Sequence, residues 1–179
     1  MSELNFRAAT LADIDSIIPL VESAYRGDAS RKGWTTEADI LDGQRIDRPL
    51  LIELIQRSDA RVILLERDSE LLACCELQDQ GGIGYFGMFS VRPEGQGNGL
   101  GNRLMVEAER IAAEEWQCRE MRMTVIDIRD ELIAWYERRG YVRTGEYKPF
   151  PYGDERFGIP RRDDLRFEVL RKALDHKAP

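Results

Sequence analysis

Residues 91–105 read VRPEGQGNGLGNRLM, with four glycines inside seven positions between a strand-like run and a helix-like one. A helix start carries unpaired backbone N–H groups and the positive end of the helix dipole. A phosphate placed there accepts several hydrogen bonds at once, and glycines remove the Cβ atoms that would block its approach. Gly97, Gly99 and Gly101 therefore suggest a phosphate cradle. Two familiar cradles fail: the third glycine of a dinucleotide fingerprint would fall on Asn102, and no lysine follows as in a nucleoside-triphosphate loop. Proton-transfer chemistry has scattered candidates in Tyr136, Glu76, Glu37 and Asp39. Taken singly, Tyr136 reads as a half-buried aromatic beside Trp135, and each carboxylate as a solvated surface group.

The elements that must position these groups follow from periodicity. LNFRA reads as a first strand and TLADIDSIIPLVESAY as a helix, with Thr10 as cap and Leu11, Ile14, Ile17, Ile18 and Val21 at helical spacing. TTEADILDGQRIDRPLLIELIQR reads as helical, interrupted from Gly43 to Pro49. ARVILLERD and SELLACCELQ form a hairpin, and GGIGYFGMFSV the next strand. The helix after the glycines has an apolar stripe of Leu100, Leu104, Ala108, Ile111 and Ala112. A strand (EMRMTVID), a helix (ELIAWYERR) and a strand (GYVRTGEY) follow, then a long loop with three prolines and a last strand, LRFEVLRKAL. Hairpins alternate with crossovers. The expectation is an α+β layered domain spanning 1–179, with a mixed, mostly antiparallel sheet flanked by helices.

Composition narrows the function. The chain has 179 residues, 42% apolar and 33% charged, and a net charge of -7. Residues 1–90 carry 9 basic and 16 acidic side chains, and residues 91–179 carry 17 of each. That balance argues against nucleic acid as a partner. No long apolar run suggests a membrane span, and the start MSELNFRAAT does not read as a signal peptide. Cys74, Cys75 and Cys118 match no metal spacing and read as reduced thiols, so a cytoplasmic protein without a metal is expected. His176 stands alone near the C-terminal end.

Gln96-x-x-Gly99-x-Gly101, after a strand ending in MFSVRPE, resembles the acyl-coenzyme A loop of the Gcn5-related N-acetyltransferases (GNAT family). LIAWYERRGYVRTGEY resembles a second segment of that family, with Tyr136 at its tyrosine and Gly140-Tyr141 at its glycine-aromatic pair. The element order matches over nearly the whole chain. The resemblance implies an acyl-CoA N-acyltransferase-like fold and acetyl-CoA as co-substrate. It implies that backbone groups of Phe89 and Val91 bind the pantetheine arm, and that the amides of Gln96, Gly97, Asn98, Gly99, Leu100 and Gly101 hold the pyrophosphate, with Asn98 and Asn102 assisting. Tyr136 would protonate the departing thiolate, which a phenol can do because it keeps its proton at neutral pH.

This chain departs from the family at two points. The strand before the glycines, GIGYFGMFSV, has no carboxylate where many members carry a glutamate. Glu76 on the preceding strand is the candidate base, with Glu37 and Asp39 as alternatives. Seven residues before Tyr136 the family often has asparagine, and here stands Arg129. Its guanidinium can bind a substrate carboxylate or pair with Asp127, Asp130 or Glu131. The acceptor pocket is expected from the early helices and the late loop, with Trp34, Glu37, Arg45, Phe150 and Tyr152. The expected reaction is acetyl transfer to a primary amine of a small molecule or amino acid. The alternative is a CoA-binding sensor or interaction module of the same fold without turnover. A homodimer is left open.

Overall fold

A computed structural model describes residues 3–26, 37–38, 40–93 and 99–174. Strand β1 (Leu4–Ala8) leads into a short 3-10 turn and helix α1 (Ile14–Tyr25). The Asp13 carboxylate accepts from the Thr10 N–H at 2.8 Å, the capping device expected there. Arg7 clamps the same carboxylate at 2.7 and 2.8 Å and so ties the helix start to β1.

Next come a two-residue strand β2 (Leu41–Asp42) and helix α2 (Arg48–Gln56). This corrects the sequence reading. Among the described residues the stretch before Gly43 is a turn and a strand, not a helix. Pro49 opens α2 rather than interrupting it: Asp47 is the N-cap, its carboxylate accepting from the Leu50 N–H at 3.1 Å. Proline suits the first helical turn because its missing donor would have no partner there.

Strands β3 (Ala60–Arg67), β4 (Glu70–Asp79) and β5 (Ile83–Val91) form an antiparallel meander. Helix α3 (Leu100–Arg110, extended by a π-helical turn to Glu115) crosses to β6 (Glu120–Ile126). Helix α4 (Asp130–Glu137), β7 (Val142–Pro149), the short β8 (Ile159–Pro160) and β9 (Arg166–Ala173) complete the order. The main sheet has seven strands in the order β1-β3-β4-β5-β6-β9-β7, with only β5 and β6 parallel. The mixed, mostly antiparallel sheet flanked by helices is the architecture the sequence led us to expect.

Strand periodicity divides the core. Val62 and Leu64 pack in the cluster that contains α1 and α2, while Ile63 and Leu65 pack in the one that contains α3 and α4. All five residues of the α3 stripe are buried. A third cluster joins Leu41, Ile126, Phe150 and Leu165, and β2 pairs with β8 beside it. The early segment and the late loop are thereby closed over one end of β6.

Candidate active site

The parallel pair is where the sheet opens. Ile83, Gly84 and Tyr85 pair with Glu120, Met121 and Arg122, and the pairing then stops. Beyond it, Phe86–Val91 and the end of β6 part. The β4–β5 register also shifts there, with Cys74 opposite Ser90 but Glu76 opposite Gly87. Met88 takes up the extra length with φ +51°. Such a bulge leaves one residue outside the ladder and bends the strand. Beside it lies a cavity of about 300 Å³ whose lining includes Tyr25, Glu37, Arg45, Glu76, Arg129 and Tyr136.

Tyr136 reaches this cavity from α4. Its ring is 4% exposed and packs on Phe89, Trp135 and Tyr141 with centroids 6.3, 5.4 and 6.0 Å away. Burial pushes its hydroxyl well above the ordinary phenol range, with Tyr25 adding to the effect. Arg129 pulls the other way, and would stabilise the phenolate once the proton leaves. Glu76 reaches the cavity from β4. A Cβ on Gly87 would overlap Glu76 Oε1 and approach Tyr85 Cε1 to 3.0 Å. The glycine is what lets the glutamate lean across β5. Burial raises the Glu76 pKa, and Arg45 opposes that rise. A carboxylate shifted upward is a stronger base, as proton abstraction near neutral pH requires.

Glu37 lines the cavity but is already engaged. It pairs with Arg26 through Oε1 and with Arg129 through Oε2, the latter at 3.1 Å. Burial alone would raise its pKa, yet Arg129, Arg26 and Arg45 hold it below the usual range. Arg129 thus bonds across the fold to Glu37, a partner its near neighbours in sequence did not suggest; Asp127 instead takes Arg166 at 2.6 Å. Phe150 lines the cavity, whereas Tyr152 does not: its hydroxyl donates to the Arg162 carbonyl and accepts from the Leu165 N–H. Tyr25 was missed by sequence reading. It continues the apolar stripe of α1 and so looked like core. Its hydroxyl donates to the Phe89 carbonyl, and Arg45 and Arg129 lie 5.0 and 5.8 Å from its ring centroid.

On the proposed coenzyme side, Phe89 and Val91 are each 2% exposed on β5. Helix α3 starts at Gly99, which has φ +77° and no side-chain cap. Gly99, the N-cap residue, has no side chain with which to cap the first-turn amides. A Cβ at Gly99 would meet nothing within 4 Å, so its glycine serves the left-handed turn. Gly101 is different, because its missing Cβ makes room for the Phe89 ring. A Cβ there would lie 2.8 Å from Phe89 Cζ. Leu100 is buried against the core, and Asn102 accepts from Arg139 Nε at 3.1 Å. Arg139 in turn stacks 3.5 Å over Trp135. Trp34, Asp39, Gln96, Gly97, Asn98 and His176 lie outside the described residues. Among the described residues no cluster of metal ligands occurs, the three cysteines are free and buried, and no helix is long and apolar enough to cross a membrane.

A layered mixed sheet that splits beside a glycine-led helix is the acyl-CoA N-acyltransferase architecture. The family model for acetyltransferases of the GNAT family matches residues 20–141, and the chain belongs to that family. Solved structures agree on the fold. The ribosomal-protein-S18-alanine N-acetyltransferase from Escherichia coli superposes with TM-score 0.71 at 11% identity, covering 98% of this chain and 97% of that one. A PaiA N-acetyltransferase from Thermoplasma acidophilum, in complex with coenzyme A, has TM-score 0.67 at 17% identity, covering 96% and 99%. A spermidine N-acetyltransferase chimera from Vibrio cholerae has TM-score 0.66 at 16% identity, covering 97% and 96%. Comparison with curated proteins finds no match to this chain.

Proposed function

We propose that this protein is an acetyl-CoA-dependent N-acetyltransferase acting on a primary amine of a small molecule or amino acid. The observation that carries the reading is the meeting of Tyr136 and Glu76 in one cavity where β5 and β6 part. Neighbours of the same fold are named for a ribosomal-protein alanine and for spermidine, so the fold leaves the acceptor open.

The left-handed Gly99 at the start of α3 suits a pyrophosphate, and the side of β5 that β6 leaves suits an extended pantetheine arm. Acetyl-CoA supplies an activated thioester. Glu76 takes the proton from the attacking amine. The bulge at Met88 leaves a backbone N–H outside the ladder, a donor suited to charge on the acetyl oxygen. Tyr136 Oη gives its proton to the departing sulfur, and Tyr25 holds Phe89 in place through its carbonyl.

Free-thiol release from acetyl-CoA across a panel of amines tests the reading. Amine-dependent release is expected. Coenzyme binding without release from any amine would leave a binding module in place of an enzyme.

A further inference from the structure

One guanidinium in the cavity, that of Arg45, has no side-chain partner among the described residues. Besides Glu76, the cavity is lined by Arg26, Arg45 and Arg129 against Glu37. Glu37 is shared by Arg26 and Arg129. Arg45 stands apart from that cluster. Its guanidinium makes no ion pair or hydrogen bond with any described side chain and rests only on the Tyr25 ring, 5.0 Å from the centroid. Burial works against its charge, but Tyr25, Glu37 and Glu76 keep it protonated. Arg45 is partly buried, and a cation drawn out of water without a partner is costly.

Position says where a compensating anion belongs. Arg45 and Glu76 both line this cavity and also a second one of about 230 Å³ that adjoins it. The second is walled by Leu50, Leu51, Leu54 and Met88. Base and unpartnered guanidinium therefore stand together at the junction of the two spaces.

We propose that the acceptor is an amino acid with a free carboxylate, that Arg45 binds this carboxylate and so sets acceptor specificity, and that the side chain points into the second cavity. This rests on the acetyltransferase reading above. The amine then lies beside Glu76, which faces the same junction. A planar guanidinium offers a carboxylate two parallel donors, which a carboxamide cannot match in charge or in geometry. A polyamine would bring a further cation beside the Arg45 guanidinium.

The test measures thiol release at saturating acetyl-CoA with free amino acids, their carboxamides, the matching decarboxylated amines, and spermidine. Free amino acids should exceed their carboxamides by roughly a hundredfold in kcat/KM, about two contacts' worth of charge-assisted binding. Arg45→Gln should lower kcat/KM for the free acid far more than for the carboxamide, flattening that ratio to within a few-fold, while the calorimetric affinity for CoA holds. Arg45→Lys should restore part of the preference. Melting temperature and CoA affinity show whether a variant has folded, and Arg45→Lys carries the test if Arg45→Gln has not. Equal use of acid and carboxamide, a preference for spermidine, or an equal fall for both acceptors in Arg45→Gln overturns the acceptor assignment and leaves acetyl transfer standing. No thiol release with any amine overturns both.

Discussion

Tyr136 and Glu76 are two ordinary side chains given opposite tasks by their surroundings. Burial keeps the proton on Tyr136 and raises the basicity of Glu76. Tyr136→Phe removes the acid and keeps the ring that packs on Phe89 and Tyr141. We expect kcat to fall roughly a hundredfold with KM unchanged, about 2.7 kcal/mol of barrier. A variant that melts far earlier and binds coenzyme poorly would make Tyr136 structural instead. Glu76 also sets a pH dependence. Its folded pKa lies above the ordinary glutamate value, so the deprotonated base accumulates only as pH rises past that raised value. With acceptor saturating, kcat should climb along an acid limb lying above the ordinary carboxylate range. Glu76→Gln should abolish that limb along with most of the rate. Gly87→Ala makes a sharper test, because its methyl would occupy the place of the Glu76 carboxylate. Activity should drop while the affinity for CoA holds, read by thiol release and calorimetry side by side.

At the scale of the element, two glycines one residue apart at the start of α3 do different work. Gly99 takes a left-handed turn in open space, whereas Gly101 lets the helix approach the Phe89 ring. Gly99→Ala should cost about 1 kcal/mol of stability through backbone strain. Gly101→Ala should instead displace Phe89, lowering kcat through its neighbour Tyr136. A thermal melt and a kinetic assay on each separate the two; identical profiles would count against the distinction. Helix α1 offers a pH test of another kind. Arg7 and the Thr10 N–H hold Asp13 at about 2, below the ordinary aspartate value of 3.8. A lowered carboxylate contributes stability that is fully present above the unfolded value and is lost as pH falls through the folded one. Asp13→Asn should melt earlier at neutral pH, and its gap to the parent should close as pH drops from about 4 towards 2. A gap that stays constant over that range would remove Asp13 from the account.

On the scale of the whole molecule, the sheet is one body that fails to close at one place. β5 and β6 share three pairs and then separate, and every group assigned to the reaction borders that opening. A coenzyme filling it would bind the folded chain alone. Acetyl-CoA or CoA at a hundred times its dissociation constant should therefore raise stability by about 2.7 kcal/mol. No shift in melting temperature with either, and no calorimetric heat, would leave the coenzyme assignment without support.

Local chemistry made part of this legible in the chain alone. The period of α3, the hairpin of β3 and β4, the glycines before a helix and the aromatic at Tyr136 are signals within a few residues of one another. Each depends on backbone geometry or on a face of one element, which sequence spacing records. The pairing of Arg129 with Glu37 spans 92 positions, and only the pairing of β2 with β8 and the closure of the late loop over β6 set it in place. The lean of Glu76 over Gly87 depends on the register between two strands and on a bulge at Met88, neither of which a one-dimensional pattern encodes. Tyr25 carried no signal of its own, because it continued an apolar stripe; Arg45 was expected near the acceptor, but its lack of a side-chain partner had no trace in the sequence. The sequence by itself determined most of the elements of the main sheet and its helices, and which residue types could do chemistry, but not the short strands β2 and β8. Which charges find partners, and which is left facing the cavity, was decided by the tertiary structure, because electrostatic pairing depends on distance in space.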